Sequence, residues 1–332
     1  MRRTAGAISN RARVELDLAR SRQGRADLAI FHEFEPPPAG GGHQFLRALV
    51  RELENRGLVV ETNRISGGTP ACLFNSFNFD FGRLGRFARQ DCRLVHRVDG
   101  PIGTYRGFDD GTDARIAALN AELADATVLQ SRYSLAKHAE LGIELRSPVV
   151  ISNTVDPAIF HPPPAHEPVA DRPLRVIASS WSQNPRKGTD VFAWLDANLD
   201  PSLATLTFVG QRAQPFDRIR HAGPLDSHGV ADLLREHDVY LAASRDDPCS
   251  NALLEALACG LPAAYLVSGG HPELVGDAGV PFESPDQVPD ALLQLAADLD
   301  GYRASIDVPP LVEVADEYLR VLGLAGKGPG PP

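Results

Sequence analysis

The chain has 332 residues, 43% of them hydrophobic and 23% charged, and a formal net charge of -10 at neutral pH. That length allows two domains of ordinary size, each burying its own core, and the composition is that of a globular protein in water. The acidic balance argues against a general nucleic-acid binder, no apolar run approaches the ~18 residues of a membrane span, and four scattered cysteines, Cys72, Cys92, Cys249 and Cys259, lack the spacing of a zinc site or disulfide framework and read as reduced, buried thiols.

Residues 1–26 hold seven arginines but no hydrophobic core of a signal peptide, so the expected location is the cytoplasm. The arm of residues 1–25 reads either as a loosely docked terminal helix or as a peripheral contact with an anionic polymer or the inner membrane face. A strand signal at 26–32 ends in a proline- and glycine-rich loop, and residues 44–56 follow with helical periodicity in Phe45, Leu46, Leu49, Val50 and Leu53. Further strand signals at 58–62, 71–75, 93–97, 126–130 and 148–151 alternate with helical stretches, the pattern of a parallel sheet covered by helices. A proline cluster at 157–173 reads as a linker, and a second series of strands begins at 174–179 and continues at 205–209, 239–243 and 263–267. The expected fold is therefore α/β, with two Rossmann-like units at 26–156 and 174–305, a segment at 306–325 carrying a last helix, and a flexible tail at 326–332.

Residues 244–262, S-R-D-D-P-C-S-N-A-L-L-E-A-L-A-C-G-L-P, carry the densest chemical signal. Pro248 and Ser250 supply turn and cap chemistry, residues 252–258 are rich in helix formers, and Gly260 stops the run. The N–H groups near Ser250, Asn251 and Ala252 would then point outward at the positive end of the helix dipole, a place suited to a diphosphate. Glu255 lies roughly 6 Å further along the axis at about 1.5 Å per residue. It could accept hydrogen bonds from ribose hydroxyls while Asp247, on the preceding loop, reaches a sugar at the other end of the phosphates. The plainer alternative is a helix-start aspartate and a solvated glutamate.

Other stretches fall in a telling order: I-S-N-T-V-D-P-A-I-F-H-P at 151–162, R-K-G-T-D at 186–190, F-V-G at 208–210 and G-G-H-P-E-L-V-G-D-A-G at 269–279. With the acidic pair separated by seven residues and the following E-A-L-A-C-G-L-P, they resemble retaining glycosyltransferases of the GT-B fold, family-four type, over most of the chain beyond residue 150. The resemblance implies two Rossmann-like domains facing an interdomain cleft, an acceptor domain at 26–156, a donor domain at 174–305, and a last helix packing back on the first domain. It implies a nucleotide diphosphate sugar as donor, with Gly41 and Gly42 approaching it from the first domain and Gly210, Ser250, Asn251, Ala252 and Glu255 from the second. Lys187, with Arg186 beside it, would meet the leaving diphosphate, and Asp247 would position donor hydroxyls.

From the first domain, V-H-R-V-D-G-P-I-G at 95–103 places His96 and Asp99 near the carboxyl edge of a strand, where ligands bind in such sheets. His96 could contact the donor sugar or orient an acceptor hydroxyl with Asp99 accepting its hydrogen bond; a partly buried histidine beside a turn-forming Asp-Gly is the structural alternative. Two departures from the family pattern stand out: Trp181 and Ser182 occupy the stretch where an arginine usually helps with phosphate, and Asp247 replaces a longer glutamate. The expected reaction is sugar transfer to an acceptor hydroxyl with retention of configuration, needing no metal or cofactor. Asp298-Leu299-Asp300 reads as a solvated acidic turn. The alternatives are a nucleotide-sugar epimerase, a sugar phosphorylase, and a degenerate nucleotide-sugar-binding partner subunit without turnover. The acceptor stays open among polysaccharide, lipid carrier and small natural product, and Phe77, Phe79, Phe81 and Phe87 could line an apolar acceptor groove or belong to the core.

Overall fold

Short runs such as L-A-I-F, A-C-L-F-N and A-T-V-L are apolar without alternation, and each is buried along its whole length, as strands covered on both faces must be. The computed structural model describes residues 25–36, 41–169 and 172–326. Its first sheet contains β1 (Leu28–Phe31), β2 (Val60–Thr62), β3 (Ala71–Asn75), β4 (Arg93–Val98), β5 (Ala126–Leu129) and β6 (Pro148–Val150), in the order β2-β1-β3-β4-β5-β6. The second contains β7 (Leu174–Ser180), β8 (Ala204–Gly210), β9 (Arg220–Gly223), β10 (Val239–Ala242), β11 (Ala263–Leu266) and β12 (Gly279–Phe282), in the order β12-β11-β10-β7-β8-β9. Every strand pairing is parallel. The fold is thus α/β with two Rossmann-like sheets.

Each sheet has its own apolar layers. In the first, Phe45, Leu46, Leu49 and Leu53 of the helix Gly41–Asn55 pack on Leu28, Ile30 and Leu73. The last helix, Leu311–Val321, joins that layer rather than the second domain's: Tyr318 is fully buried with its ring 6.0 Å from that of Phe45, and Arg56 and Arg93 donate to the carbonyls of Val312 and Val321 at 2.7 and 2.6 Å. In the second, Val191, Phe192 and Leu195 cover one face of the sheet, while Leu253, Leu254 and Leu257 cover the other.

Strands β9 and β12 are not anticipated from sequence. β9 is an edge strand with Arg220 and His221 exposed, and β12 is an edge strand of four residues that includes glycine and proline, so neither carries a strong apolar signal. Among the described residues no helix is long and apolar enough to cross a membrane. All but the last residue of the arginine-rich arm and all but the first residue of the expected tail lie outside the described residues.

Candidate active site

Loops at the carboxyl ends of parallel strands converge on a cavity of about 290 Å³ between the two sheets. β4 delivers Asp99, β7 delivers Trp181, Ser182 and then Lys187, and β10 delivers Asp247 and the start of the helix Asn251–Ala258. In the second sheet the strand order reverses between β7 and β10, which is where open parallel sheets leave a crevice for ligands.

Lys187 ends a short turn, Pro185–Lys187, that Asn184 caps by accepting from the Arg186 N–H at 2.9 Å. Gly188 follows at φ +93°, and a Cβ there would fall 2.6 Å from Ala243 Cβ, so glycine is what lets the turn press against the end of β10. The ammonium of Lys187 donates to Asp247 Oδ2 at 2.7 Å and lies 5.3 Å from the centre of the Tyr105 ring, which comes from the first domain. Burial acts against both charges, but the pair outweighs it: Asp247 holds the lysine above its ordinary pKa, and Lys187 holds the carboxyl below its own. Both are charged near neutrality.

Asp247 is braced from behind by the G-G-H-P-E stretch. Gly269, at φ +62°, lies so close that a Cβ would meet the Asp247 carbonyl at 2.3 Å, and the Gly270 N–H donates to that carbonyl at 2.8 Å. His271 is buried with its two ring nitrogens 3.0 Å from Ser244 Oγ and from the Leu266 carbonyl, and burial lowers its pKa. Glu273 reaches across to the first domain and accepts the N–H groups of Arg132 and Tyr133 at 2.9 and 3.0 Å.

At the start of the helix Asn251–Ala258, Ser250 caps by accepting from the Leu253 N–H at 3.4 Å. The N–H groups of Asn251 and Ala252 precede the intrahelical ladder, and both residues line the cavity beside Lys187 and Asp247. One ammonium and one helix N-terminus therefore act on the same small volume, an arrangement suited to an anion.

Glu255 is separated from this group. It lines a smaller neighbouring cavity of about 30 Å³, with Arg47 and Arg51 from the first-domain helix, and with Asp156 and Ser227. Among the described residues nothing hydrogen-bonds or ion-pairs with its carboxyl group, and burial pushes its pKa up to about 8, so it is largely protonated at neutral pH.

On the first-domain side, Asp99 Oδ2 accepts from Ser76 Oγ at 3.0 Å, and its Oδ1 faces Gln130 Nε2 and Arg97 Nη1, the latter at 3.2 Å. Arg97 is only 1% exposed; it also donates to Asn75 Oδ1 at 2.7 Å and Asn153 Oδ1 at 2.9 Å, and Asn153 donates onward to Asn251 Oδ1 at 3.0 Å. A buried guanidinium thus ties Asp99 to the first residue of the second-domain helix.

The structure corrects the expectation for His96. β4 runs on through Val98, so His96 sits inside the sheet rather than at its edge, 0% exposed, stacked on Phe74 at 4.2 Å and 3.1 Å from Asn120 Nδ2. Burial pushes its pKa down to about 3, and it does not line the cavity. Arg186 is likewise drawn away: it ion-pairs with Asp246, which also accepts from Tyr133 Oη at 2.8 Å, so it joins the domains instead of lining the cavity. Gly210 ends β8 against Ser180 and is set back from the lining. Gly42 lines the cavity, and Gly41 opens the helix Gly41–Asn55 beside it.

Sequence reasoning missed Tyr105, Ser179 and Tyr240, all of which line the cavity. Tyr105 lies on a segment without a motif, and the other two lie in strands whose apolar pattern reads only as core. Asp298 caps a helix by accepting from the Gly301 N–H at 3.1 Å, and Asp300 pairs with Arg303 at 3.0 Å. Among the described residues no group of three or more His, Cys, Asp or Glu is placed to hold a metal ion. The four cysteines are free and buried, and burial raises every thiol pKa.

Two such sheets with a cleft at their carboxyl edges define the GT-B class of fold. The chain overlays on the sucrose-phosphate synthase of Thermosynechococcus elongatus with a TM-score of 0.67 and 16% identity, covering 90% of this chain and 95% of that one. It overlays on Anabaena Alr3699/HepE in complex with UDP-glucose with a TM-score of 0.62 and 16% identity, covering 90% and 97%. Residues 176–298 match the family model described as Glycosyl transferases group 1, and the second domain is accordingly a glycosyl transferases group 1 domain. N-acetyl-alpha-D-glucosaminyl L-malate synthase of Bacillus anthracis is 34% identical over 107 residues, 31% of this chain and 28% of that protein. The matches to curated relatives span about a third or less of those proteins, 32% and 28%.

Proposed function

We propose that the chain transfers a sugar from a nucleotide diphosphate sugar to an acceptor hydroxyl, with retention of configuration and without a metal ion. The observation that carries this reading is the Lys187–Asp247 ion pair, 2.7 Å long, set beside a helix N-terminus in an interdomain cavity. Negative charge grows on the diphosphate as the sugar leaves, so Lys187 and the N–H groups of Asn251 and Ala252 stabilise the transition state more than the bound donor. Asp247, released from part of its contact with Lys187, accepts hydrogen bonds from donor hydroxyls. The departing phosphate takes the acceptor proton on the face it leaves, which gives retention and requires no covalent intermediate on a carboxylate. Asp99 is the first-domain carboxylate in the cavity and takes the acceptor-side position assigned from sequence to His96. Glu255 reaches the ribose only once the small cavity it lines, which has room for about one water, joins the main one on donor binding.

A non-catalytic, donor-binding subunit is the second reading. It is favoured by one observation: among the described residues lining the cavity, Lys187 is the lone cation, with Trp181 and Ser182 where an arginine was expected. The proposed working place is the cytoplasm, with the N-terminal arm as the contact to an anionic surface, and vesicle flotation of the chain with and without residues 1–25 tests that part.

Incubation with UDP-, GDP-, ADP- and dTDP-hexoses and a panel of hydroxyl acceptors such as methyl and p-nitrophenyl hexosides, following released nucleoside diphosphate and the anomer of the glycoside formed by NMR, tests the reaction. Release from one donor with an α product from an α donor supports it. Saturable donor binding with no release supports the partner-subunit reading, and an inverted product contradicts retention.

A further inference from the structure

A second, open cavity of about 610 Å³ lies wholly on the first domain and meets the interdomain cavity at Phe77, which lines both. Its floor comes from the segment F-N-F-D-F, residues 77–81, in which Phe77, Phe79 and Phe81 alternate with polar residues. The rings are held in place: Phe79 packs edge-on against the core rings of Phe31 and Phe74 at 6.1 and 6.3 Å, and Phe81 lies against Phe79 at 4.8 Å. Phe77 carries the guanidinium of Arg106 5.5 Å from its ring centre.

The rim is polar and mainly acidic. Asp80 caps a helix with one oxygen, accepting from the Arg83 N–H at 3.0 Å, which leaves the other to solvent. Glu33 is exposed, and among the described residues its side chain makes no hydrogen bond or ion pair. Arg115 is the cation of this lining.

We propose that this cavity is the acceptor subsite and that the acceptor is an uncharged saccharide; the inference rests on the transferase reading above. A sugar ring has an apolar C–H face and an edge of hydroxyls. Rigid phenyl faces flanked by carboxylates and an amide match both, the rings excluding water from one face while Glu33, Asn78 and Asp80 accept from or donate to the edge. A phosphate-bearing lipid carrier fits poorly, because Glu33 and Asp80 outnumber Arg115 in the lining while Arg106 is paired with Asp110 at 3.2 Å, and the polar rim interrupts any continuous path for a tail. The shared Phe77 sets the direction: a saccharide bound here sends its terminal hydroxyl past that ring towards Asp99 and the Lys187–Asp247 pair.

The test reads saccharide binding directly and needs no donor. Ligand-observed NMR titrates methyl and p-nitrophenyl hexosides, their disaccharides, and a short-chain polyprenyl phosphate against the intact chain, Phe81→Ala and Glu33→Gln. Glu33 is exposed, so its variant reports on the site without touching the core. At least one saccharide is expected to bind, weakened about tenfold in Phe81→Ala by loss of a stacking face and about threefold in Glu33→Gln by loss of a charged acceptor. Binding of the polyprenyl phosphate alone, or saccharide binding unchanged in both variants, overturns the proposal. Saccharide binding with the expected losses, in a chain that stabilises no nucleotide sugar, keeps this subsite and instead removes the transferase reading.

Discussion

At the residue scale, the site rests on charges that hold one another. Removing the Lys187 ammonium would leave the Asp247 carboxylate buried without its cation, a loss of about 2 kcal/mol in stability for a pair that is not fully enclosed. Lys187→Ala should therefore unfold at lower temperature in calorimetry and raise the pH at which Asp247 protonates. Glu255 has the opposite electrostatics. Its folded pKa of about 8 lies above the unfolded value, so the native state binds a proton that the unfolded state releases, and stability falls as pH rises from about 4.5 to 8 by up to about 1.4 kcal/mol per pH unit. The difference between wild type and Glu255→Gln isolates this effect from the buried histidines. Glu255→Gln should gain stability relative to wild type across that window by chemical denaturation, and a constant difference would place the carboxyl at an ordinary pKa. Of the cavity residues, Asp247, Lys187, Ser250, Asn251, Ala252, Asp99 and Gly42 were legible because they lie in or beside motifs. His96 was misplaced because one further residue of strand, through Val98, keeps it inside the sheet. The separation of Glu255 from Asp247 depends on how the first-domain helix packs, which local spacing does not encode.

At the element scale, backbone fit positions the carboxylate. A Cβ at residue 269 would clash with the Asp247 carbonyl at 2.3 Å on a backbone with φ +62°, so Gly269→Ala must displace one of the two loops. A loss of about 2 kcal/mol or more is expected, larger than for a surface glycine. If thermal melting shifts by less than a degree, the two loops do not meet this closely. The strands were readable from sequence because buried parallel strands are continuous apolar runs: β3 falls at the expected residues 71–75, and β4, β5, β7 and β8 within a residue at either end. The edge strands β9 and β12 were not, since partial exposure removes that signal.

At the scale of the whole molecule, the two domains meet through specific polar contacts around the cavity. Glu273 accepts the first N–H groups of the helix Arg132–Glu140, Tyr133 donates to Asp246, and Asn153 donates to Asn251. These are few and near the ligand cavity, as expected of an interface that opens and closes. Glu273→Ala with Tyr133→Phe should increase the radius of gyration of the unliganded chain in small-angle scattering, with unchanged dimensions as the contrary result. None of this was legible beforehand, because each contact joins residues about 100 or more apart in sequence and no local pattern announces it. The proposed reaction depends above all on Lys187 and the adjoining helix start forming a diphosphate site. Calorimetric titration of UDP, GDP, ADP and dTDP into wild type and Lys187→Ala tests it most directly. At least one nucleoside diphosphate should bind wild type and bind the variant about tenfold or more weakly; equal affinity for both chains, or no binding to folded wild type at millimolar ligand, would rule such a site out.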